Sequence, residues 1–521
     1  MRLPTRILSP LLNRIGRSAA ADRRIGTGSS GGEATRPSAR GARQKDTVLT
    51  SQGLCRPIKG TAGGWLVLPL IAVTALSFAP FLGGGMLTDD FVHLSAARTG
   101  GLARSFIKPD PFGFYRPLPQ LSFAIESSMF GDAPALSRTT NLVLHLAVIS
   151  AAFLLARLLL RTDLAAFLAT LAFALTPKAH PIAVLWISAR SELLMAFFAV
   201  LAVSAWIAWD RGGRRSLLAT AGICYVLAFL SKETAVLLPF LLLVTPTSQR
   251  LFVRRRLAAA GVIAGLGAAV LALRTYVGAL VPISVDPHYN LATPLFRWSR
   301  NARNYLWRAL PSPGALFAVA GLIMWQYAGQ VFRFGVPGRN ASEPRPGALA
   351  LYAAAWFVVF IAPVVPIVAR SELYLYLPGF GFCMLAGHLA ERAIDNAARV
   401  RLATVALALY VAALGGYQLS RSAALHQELS FSARFVSALA ESKWIGASPG
   451  PWLLVADDAV TERFLRDAIG GYLDVVLKRS LGLPVIGGAI GYPGEPRPAH
   501  AGLIACAYRD GQVRLRHAAA E

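Results

Sequence analysis

The sequence is poor in charge, and acidic charge is the scarcest. Only 15% of its 521 residues are charged, with 27 acidic residues to 52 lysines and arginines. Soluble domains carry about 25% charged residues, so the composition excludes one large soluble globular protein. Hydrophobic residues make up 55% of the chain. They recur in runs near the roughly 20 residues with which a helix crosses a bilayer.

Motifs that would indicate soluble chemistry are also missing. The four cysteines lack the spacing of zinc ligands, and no glycine-rich nucleotide-binding loop follows a strand. The basic residues form neither a single patch nor an aromatic–basic recognition module, so we expect no nucleic-acid partner. We expect no cofactor either, and a divalent metal stays open.

The apolar runs predict an all-α polytopic membrane protein, since strands of alternating polarity are absent. About eleven runs are candidate transmembrane helices. They cover residues 64–82, 142–160, 164–175, 193–209, 216–230, 234–244, 257–273, 315–332, 348–369, 373–389 and 402–419. Residues 64–420 would form the transmembrane domain, with a first outer loop at 83–140.

Arginines in the loops predict the orientation of the chain, because cytoplasmic loops carry an excess of lysine and arginine. Four loops do so here: 211–215, 250–256, 333–345 and 392–401. With these loops inside, the N-terminus is cytoplasmic and the chain after 420 is extracytoplasmic. The high ratio of arginine to lysine is typical of a GC-rich bacterial genome, and hence of a bacterial inner membrane. Residues 1–60, rich in Arg, Gly and Ser, are expected to be a disordered basic cytoplasmic tail.

The C-terminal segment, residues 421–521, is predicted to be a small extracytoplasmic α/β domain. Residues 452–456 have the pattern of a buried strand, and 459–481 have helical periodicity. Residues 503–508 and 512–516 flank Asp510-Gly511, a dipeptide typical of hairpin turns.

Asp89 and Asp90 are the most unusual charged residues. They follow the first span directly, where a doubled carboxylate is costly to desolvate. They are candidates for the reacting group of a membrane enzyme, but they could also lie in a solvated loop or cap an amphipathic helix. The predicted topology places further polar residues at the same surface: His93, Tyr115, Arg116, Lys178, His180, Arg190, Glu192, Lys232, Glu233, Arg370 and Glu372.

These residues also allow a structural interpretation, because opposite charges close in sequence can form simple ion pairs. The pairs would be Lys232–Glu233, Arg190–Glu192 and Arg370–Glu372. His145 inside a span is typical of a hydrogen-bonded core histidine. The arginine-rich face of residues 297–308 is typical of interfacial anchoring.

Together the carboxylates and cations suit one reaction. Arginine and lysine at the headgroup level can neutralise the phosphate of a lipid-linked sugar and stabilise it as it leaves. A carboxylate can take the proton of the attacking hydroxyl as general base. Such a reaction needs no soluble nucleotide, which fits a site on the non-cytoplasmic side.

Six short motifs, in order, resemble the GT-C membrane glycosyltransferases, above all protein O-mannosyltransferases and bacterial relatives of the transmembrane TPR-containing mannosyltransferases. They are Thr88-Asp89-Asp90, Tyr115-Arg116-Pro117-Leu118, NLVLHL with Asn141 and His145, and the stretches 177–194, 230–235 and 370–382. The resemblance covers about residues 64–420, and the repeat array of the eukaryotic relatives is missing. It implies a polyprenyl-phosphate-sugar donor and a catalytic acid in the first outer loop.

The resemblance assigns the catalytic acid to Asp89 and Asp90, with Asp89 favoured as base and Asp90 as its orienting partner. From their charge, Arg190, Lys232 and Arg370 are expected to bind the donor phosphate. The residues expected to bind substrate are His93, Tyr115, Arg116, His180, Glu233 and Glu372.

We therefore expect an integral membrane glycosyltransferase. It would move a sugar from polyprenyl phosphate to a glycan, lipid or protein acceptor on the outer face, by an inverting displacement. The alternative is a transporter or flippase of lipid-linked sugars. Transporters usually show two related halves with ionisable groups near the bilayer midplane, and neither is evident in the sequence.

Overall fold

The structure is a computed structural model. It describes residues 61–160, 162–246, 253–279, 294–310, 314, 318, 321, 346–368, 370–393, 397–442, 445, 452–481, 488–491 and 502–518. All of them belong to one compact unit, Cys55–Glu521, of the two into which the chain divides. The predicted tail 1–60 lies outside the described residues, as does the predicted span 315–332 apart from two single positions.

Sixteen described helices of more than one α-turn and four strands are labelled here in chain order. The helices are α1 (Val67–Phe78), α2 (Asp89–Ile107), α3 (Pro117–Phe130), α4 (Pro134–Leu159), α5 (Asp163–Ala174), α6 (Ala179–Leu185), α7 (Arg190–Gly212), α8 (Arg215–Ser231), α9 (Leu238–Leu243), α10 (Val253–Tyr276), α11 (Leu295–Ala309), α12 (Pro346–Ile361), α13 (Gly379–Ala393), α14 (Ala397–Glu441), α15 (Ala459–Ala468) and α16 (Leu473–Leu481). The strands are β1 (Trp452–Ala456), β2 (Gly488–Gly491), β3 (Gly502–Arg509) and β4 (Gln512–Ala518).

The predicted polytopic helical fold is confirmed by the length and apolar character of the helices. Six described helices can cross a membrane: Gly63–Phe81, Pro134–Leu159, Ile187–Gly212, Val253–Tyr276, Gly347–Val364 and Arg401–Glu441. The pair α5 and α6, bent by 69°, would make a seventh. The predicted spans at 216–230, 234–244 and 373–389 coincide with shorter helices, so the total number of spans stays a prediction.

Small residues let the helices of the bundle approach closely. The faces of α4, α5 and α7 carry fully buried alanines such as Ala152, Ala165 and Ala196. At Gly387 of α13, a Cβ atom would lie 2.6 Å from the Ala165 carbonyl oxygen. Without a hydrophobic driving force inside a bilayer, such backbone contact is what holds helices together.

The C-terminal domain is a four-stranded sheet in the order β2-β1-β3-β4. Strand β1 is parallel to both of its neighbours, and β3 and β4 form the predicted antiparallel hairpin. Its turn residues Asp510 and Gly511 have φ angles of 50° and 71°, the left-handed values that Asp-Gly hairpins adopt. Strand β2 was not predicted, since four residues of Gly-Ala-Ile-Gly carry little strand signal.

Two boundaries in this region differ from the prediction. Helix α14 does not end near residue 419 but continues to Glu441, whereas strand β1 has the predicted bounds Trp452–Ala456. The predicted helix 459–481 is two helices, α15 and α16, separated at Gly470, whose φ of 59° ends the first one. The C-terminal part of α14, called here its upper part, packs on the domain through Phe431, which contacts Phe464 and Tyr508.

Candidate active site

Charged residues from distant parts of the chain meet at one end of the helix bundle, called here the Asp89 end. Helices α4 and α7 begin there, and α8 and α10 end there. Lys232 after α8 reaches Glu192 at the start of α7, and Arg274 near the end of α10 reaches Glu233. Three of the polar residues grouped by the sequence analysis are therefore brought together at this end: Glu192, Lys232 and Glu233.

Asp90 is fully buried in the first turn of α2. Its carboxylate accepts hydrogen bonds from the Ser188 amide at 2.8 Å, the Ser188 hydroxyl at 2.6 Å and the Leu87 amide at 3.1 Å. Burial raises the pKa of the Asp90 carboxyl, and the Ser188 hydroxyl opposes that shift. These bonds fasten α2 to the turn before α7, and an orienting contact of Asp90 to Asp89 stays a prediction.

Arg138, also fully buried, completes this fastening from α4. Its guanidinium donates to the Leu185 carbonyl at 2.9 Å and to the Leu82 and Gly84 carbonyls at 3.2 Å. It donates to the Gly85 carbonyl as well. One arginine thus satisfies the carbonyls of the loop that leads from α1 to the two aspartates, as buried backbone requires. We call Asp90, Ser188 and Arg138 the buried latch.

Asp89 differs from Asp90 in its exposure to solvent. It keeps 9% of its surface exposed, whereas Asp90 has none. Thr88, just before it, has φ 39° and ψ −110°, a conformation that L-residues rarely adopt. Backbone strain of this kind is concentrated at functional sites. The geometry leaves Asp89 the more accessible of the two carboxylates, and its role as base stays a prediction.

His93 lies four residues after Asp89 and hence on the same side of α2. The Gln120 side-chain amide donates to His93 Nδ1 at 2.9 Å, and the imidazole packs 5.0 Å from the Phe112 ring. Burial first, and the charge of Arg116 second, lower the pKa of His93 to about 3. The ring is therefore neutral at pH 7, and with Nδ1 accepting, its proton is on Nε2.

Arg116 and Glu233 form a two-pronged ion pair. The Arg116 Nη2 lies 2.5 Å from Glu233 Oε1 and its Nε lies 3.0 Å from Oε2. Arg274 adds a third contact at 3.3 Å. The neighbouring Tyr115 is buried and donates its hydroxyl to the Phe106 carbonyl at 2.9 Å. Arg116 and Glu233 thus neutralise each other's charge. The hydrogen bond from Tyr115 connects the loop after α2 to the end of that helix.

Lys232 pairs with Glu192 and not with its sequence neighbour Glu233. The Lys232 Nζ lies 2.5 Å from Glu192 Oε2, both side chains are buried, and the ammonium sits 4.8 Å from the centre of the Tyr374 ring. The simple interpretation as a Lys232–Glu233 ion pair is therefore wrong.

Glu372 is surrounded by three cations from three different elements. Its carboxylate lies 3.8 Å from Lys178, 3.4 Å from Arg308 and 3.4 Å from Arg421. These cations keep 27% to 41% of their side chains exposed, and Arg370 nearby in sequence is exposed too. We call Lys178, Arg308, Arg421 and Glu372 the Glu372 cluster. It carries more positive than negative charge and is partly open.

Arg190 and His180 are enclosed within the bundle. The Arg190 guanidinium is fully buried against Glu126 at 2.9 Å and Asn141 at 3.0 Å, so the predicted pairing with Glu192 is wrong. His180 is also fully buried, with its ring 4.7 Å from that of His145. His145 is the hydrogen-bonded core histidine that the sequence indicated, 2.6 Å from the Tyr376 hydroxyl.

Four participants were missed or misjudged from the sequence. Arg138 lies in the predicted first outer loop and carries no local signal. Arg274 and Arg421 lie just beyond the predicted spans 257–273 and 402–419, so their places at span ends could have indicated them. Arg308 was attributed to interfacial anchoring, yet it contacts Glu372.

Potential metal ligands and an apolar cavity between α8 and α10 are two further features of the described residues. Within the described residues, no three His, Cys, Asp or Glu side chains are grouped closely enough to hold a metal ion. A cavity of about 780 Å³ lies between α8 and α10, lined by apolar side chains such as Ile223 and Val262, with Arg215 and Arg255 among its lining residues. The case for a site at the Asp89 end therefore rests on its charged contacts.

The chain was compared with known proteins and solved structures. No protein-family model and no curated protein matches the chain. Similar solved structures include ArnT from Cupriavidus metallidurans bound to undecaprenyl phosphate, at 15% identity, with 86% of this chain and 94% of that chain covered and a TM-score of 0.48. The Archaeoglobus fulgidus oligosaccharyltransferase in complex with Zn and sulfate is 13% identical, with 84% and 63% covered and a TM-score of 0.45.

The mycobacterial arabinofuranosyltransferase AftD is also similar, at 15% identity, with 76% and 30% covered and a TM-score of 0.44. With identities of 13% to 15% and TM-scores below 0.5, the activity of this chain has to be argued from its own geometry.

Proposed function

We propose that this chain is an integral membrane glycosyltransferase that uses a polyprenyl-phosphate-linked sugar. The observation that carries the proposal is a contiguous series of charged contacts at the Asp89 end. Arg116 contacts Glu233, the adjacent Lys232 contacts Tyr374, and Tyr374 is two residues from Glu372. The series begins at Arg116, whose charge acts on His93 one helical turn after Asp89, and ends at the Glu372 cluster.

The Glu372 cluster is proposed to hold the donor phosphate. Three cations around one carboxylate leave positive charge for an anionic ligand, and their partial exposure leaves room for contact. Arginine suits phosphate because its planar fork binds two oxygens at once. Arg370 completes the proposed phosphate contacts, whereas Lys232 is buried against Glu192 and is proposed to hold that carboxylate at the start of α7. Arg190 is proposed to hold Asn141 in place, since its guanidinium is enclosed.

Asp89 is proposed as the general base. The acceptor hydroxyl gives its proton to the Asp89 carboxylate while its oxygen attacks the anomeric carbon from the face opposite the phosphate. The anomeric C–O bond breaks with its electron pair going to the phosphate, whose growing negative charge the cations stabilise. Displacement from the opposite face inverts the anomeric centre. His93, Tyr115, Arg116, His180 and Glu233 are proposed to shape the surrounding substrate site.

The phosphate site can be tested without knowing the sugar. Undecaprenyl phosphate is titrated into the purified protein in nanodiscs, and binding is followed by native mass spectrometry. The double variant Arg308→Gln/Arg421→Gln should weaken binding at least about tenfold, roughly 1.4 kcal/mol. The matched control is Arg303→Gln, an exposed arginine of the same helix α11 with no contact to Glu372 among the described residues. Equal affinity in all three proteins would reject the site.

The reaction is tested with the Asp89→Asn variant, which keeps size and polarity. Envelope glycans, glycolipids and glycoproteins are compared by mass spectrometry in cells with the wild-type gene, the variant or neither. We expect the variant to insert normally and to lose transfer by about 10²-fold or more, the usual contribution of a general base. Near-normal transfer would remove Asp89 as base. Movement of lipid-linked sugar across liposomes without transfer would favour the transporter alternative.

A further inference from the structure

The residue before Asp89 is held in a strained conformation by its surroundings. Thr88 is β-branched, and its φ of 39° with ψ of −110° lies outside the regions such residues adopt. A strained residue persists only where neighbouring structure over-determines it. The contacts around Thr88 therefore show which part of the protein sets the position of Asp89.

The first contact comes from the C-terminal domain. The Thr88 amide donates to the carbonyl of Ala468 at 2.8 Å. Ala468 is the last residue of α15, where carbonyls have no partner within the helix. The chain then turns at Gly470, where a Cβ atom would lie 3.4 Å from the Thr88 methyl group. The end of α15 thus binds the strained residue, and an added side-chain carbon at Gly470 would lie in van der Waals contact with it.

The second set of contacts comes from the upper part of α14. The Gly85 amide donates to the Leu429 carbonyl at 2.8 Å, and the Ser432 hydroxyl donates to the Met86 carbonyl at 2.5 Å. A Cβ atom at Gly85 would lie 2.6 Å from the Ala433 nitrogen. The segment leading to Asp89 is therefore pressed against the helix that carries the C-terminal domain.

A third set of contacts joins the C-terminal domain to the side of α2 and to nearby loops. Arg479 of α16 donates to the Ser95 hydroxyl at 3.0 Å and lies 2.6 Å from Asp132. The Tyr472 ring lies 6.1 Å from the Phe112 ring, edge to face. The domain thus contacts the helix of Asp89 at its start, along its length and through the following loop.

We propose that the C-terminal α/β domain is a positioning element of the active site, which holds the Thr88 turn in its strained conformation so that Asp89 faces the substrate. Gly470 and the Ala468 carbonyl are the points through which it acts. Only the consequence for catalysis rests on the proposed glycosyltransferase function. The positioning itself is a property of the protein that can be measured without a substrate.

The structural test compares two glycines of the domain. Gly470 and Gly511 both have positive φ, 59° and 71°, so each pays the same backbone penalty when changed to alanine. Gly470 faces Thr88, whereas Gly511 lies in the β3–β4 hairpin, where a Cβ atom would lie 3.0 Å from Nη1 at the end of the flexible Arg434 side chain. Hydrogen–deuterium exchange of the full-length protein in nanodiscs is followed in peptides covering residues 84–94.

Gly470→Ala should speed exchange in these peptides about tenfold, and Gly511→Ala should change it less than about twofold. The double variant Gly470→Ala/Thr88→Gly should return exchange toward the wild-type rate, because glycine relieves the strain and removes the methyl group that meets the new Cβ. An equal increase in both single variants would show general loosening of the domain and overturn the proposal, as would no change in either.

The catalytic consequence is measured separately. With Gly470→Ala we expect undecaprenyl phosphate to bind with wild-type affinity while kcat for transfer falls about tenfold or more. If Gly470→Ala changes exchange but leaves kcat unaltered, positioning of Asp89 is refuted as a catalytic device. If the wild-type protein does not bind undecaprenyl phosphate, the proposed function fails while the exchange result still decides the positioning by the domain.

Discussion

The buried latch and the Glu372 cluster are both built from carboxylates and cations, but one stabilises the fold and the other is available to a ligand. In the buried latch, Asp90 and Arg138 are fully buried, and the Asp90 oxygens are occupied by groups of the protein itself. In the Glu372 cluster, three positive charges surround one carboxylate, and the cations Lys178, Arg308 and Arg421 remain partly exposed. Charge that is saturated fixes the fold, and charge that is left over can bind a ligand. Each prediction below tests that difference.

The largest effect is expected from removing the carboxylate of the buried latch. Asp90→Ala leaves the Ser188 and Leu87 amides without their acceptor and removes the negative charge near the buried Arg138. Breaking a buried charged network in this way costs about 3–5 kcal/mol. We expect a correspondingly lower free energy of unfolding, measured by denaturation in detergent.

Asp90→Asn is the matched control, because it keeps one acceptor oxygen and the shape of the side chain. It should retain about half of the lost stability, since uncharged hydrogen bonds are weaker than charge-assisted ones. If Asp90→Ala were as stable as the wild type, Asp90 would not be a structural residue.

The next effect is a pH dependence at His93, three residues after Asp90 in α2. His93 has a pKa of about 3 in the fold against 6.5 in the unfolded chain, so the unfolded chain binds the proton more readily. The stability that neutral His93 provides is complete above pH 6.5 and is lost as the pH falls toward 3. At pH 5 the loss amounts to about 2 kcal/mol, from a difference of about 1.5 pH units at 1.36 kcal/mol each.

His93→Gln should remove this dependence, because glutamine can still accept from Gln120 but does not titrate. Unfolding free energies of both proteins are measured from pH 7.5 to 4.5. Taking the difference between the two proteins cancels other groups, among them Asp110, whose raised pKa of about 6 acts in the opposite direction. A difference that does not change with pH would contradict a neutral, buried His93.

The sequence could predict the helices and the hairpin, because apolar period and an Asp-Gly turn are local signals. It could also place Asp89, Arg116, Lys232 and Glu372 at one end of the bundle, since charged residues are costly inside the bilayer and therefore collect at the ends of spans. It could not predict the partners. Lys232 pairs with Glu192 across 40 residues and Arg116 with Glu233 across 117. Such pairs depend on the angles and positions at which helices cross, and the residues near each charge in the sequence do not determine those.

The smallest effect on stability is expected from removing the carboxylate of the Glu372 cluster. Glu372→Gln should change the free energy of unfolding by less than about 1 kcal/mol, because its ion pairs are partly solvated. The same change removes the group that competes with an anionic ligand for three cations. Undecaprenyl phosphate should therefore bind as tightly as in the wild type or up to about tenfold more tightly. Leu373, next to it in sequence, can be changed to Val as a control for the turn itself. If Glu372→Gln instead cost as much stability as Asp90→Ala and abolished binding, its cations would be structural like Arg138, and the leftover charge on which the phosphate site depends would not exist.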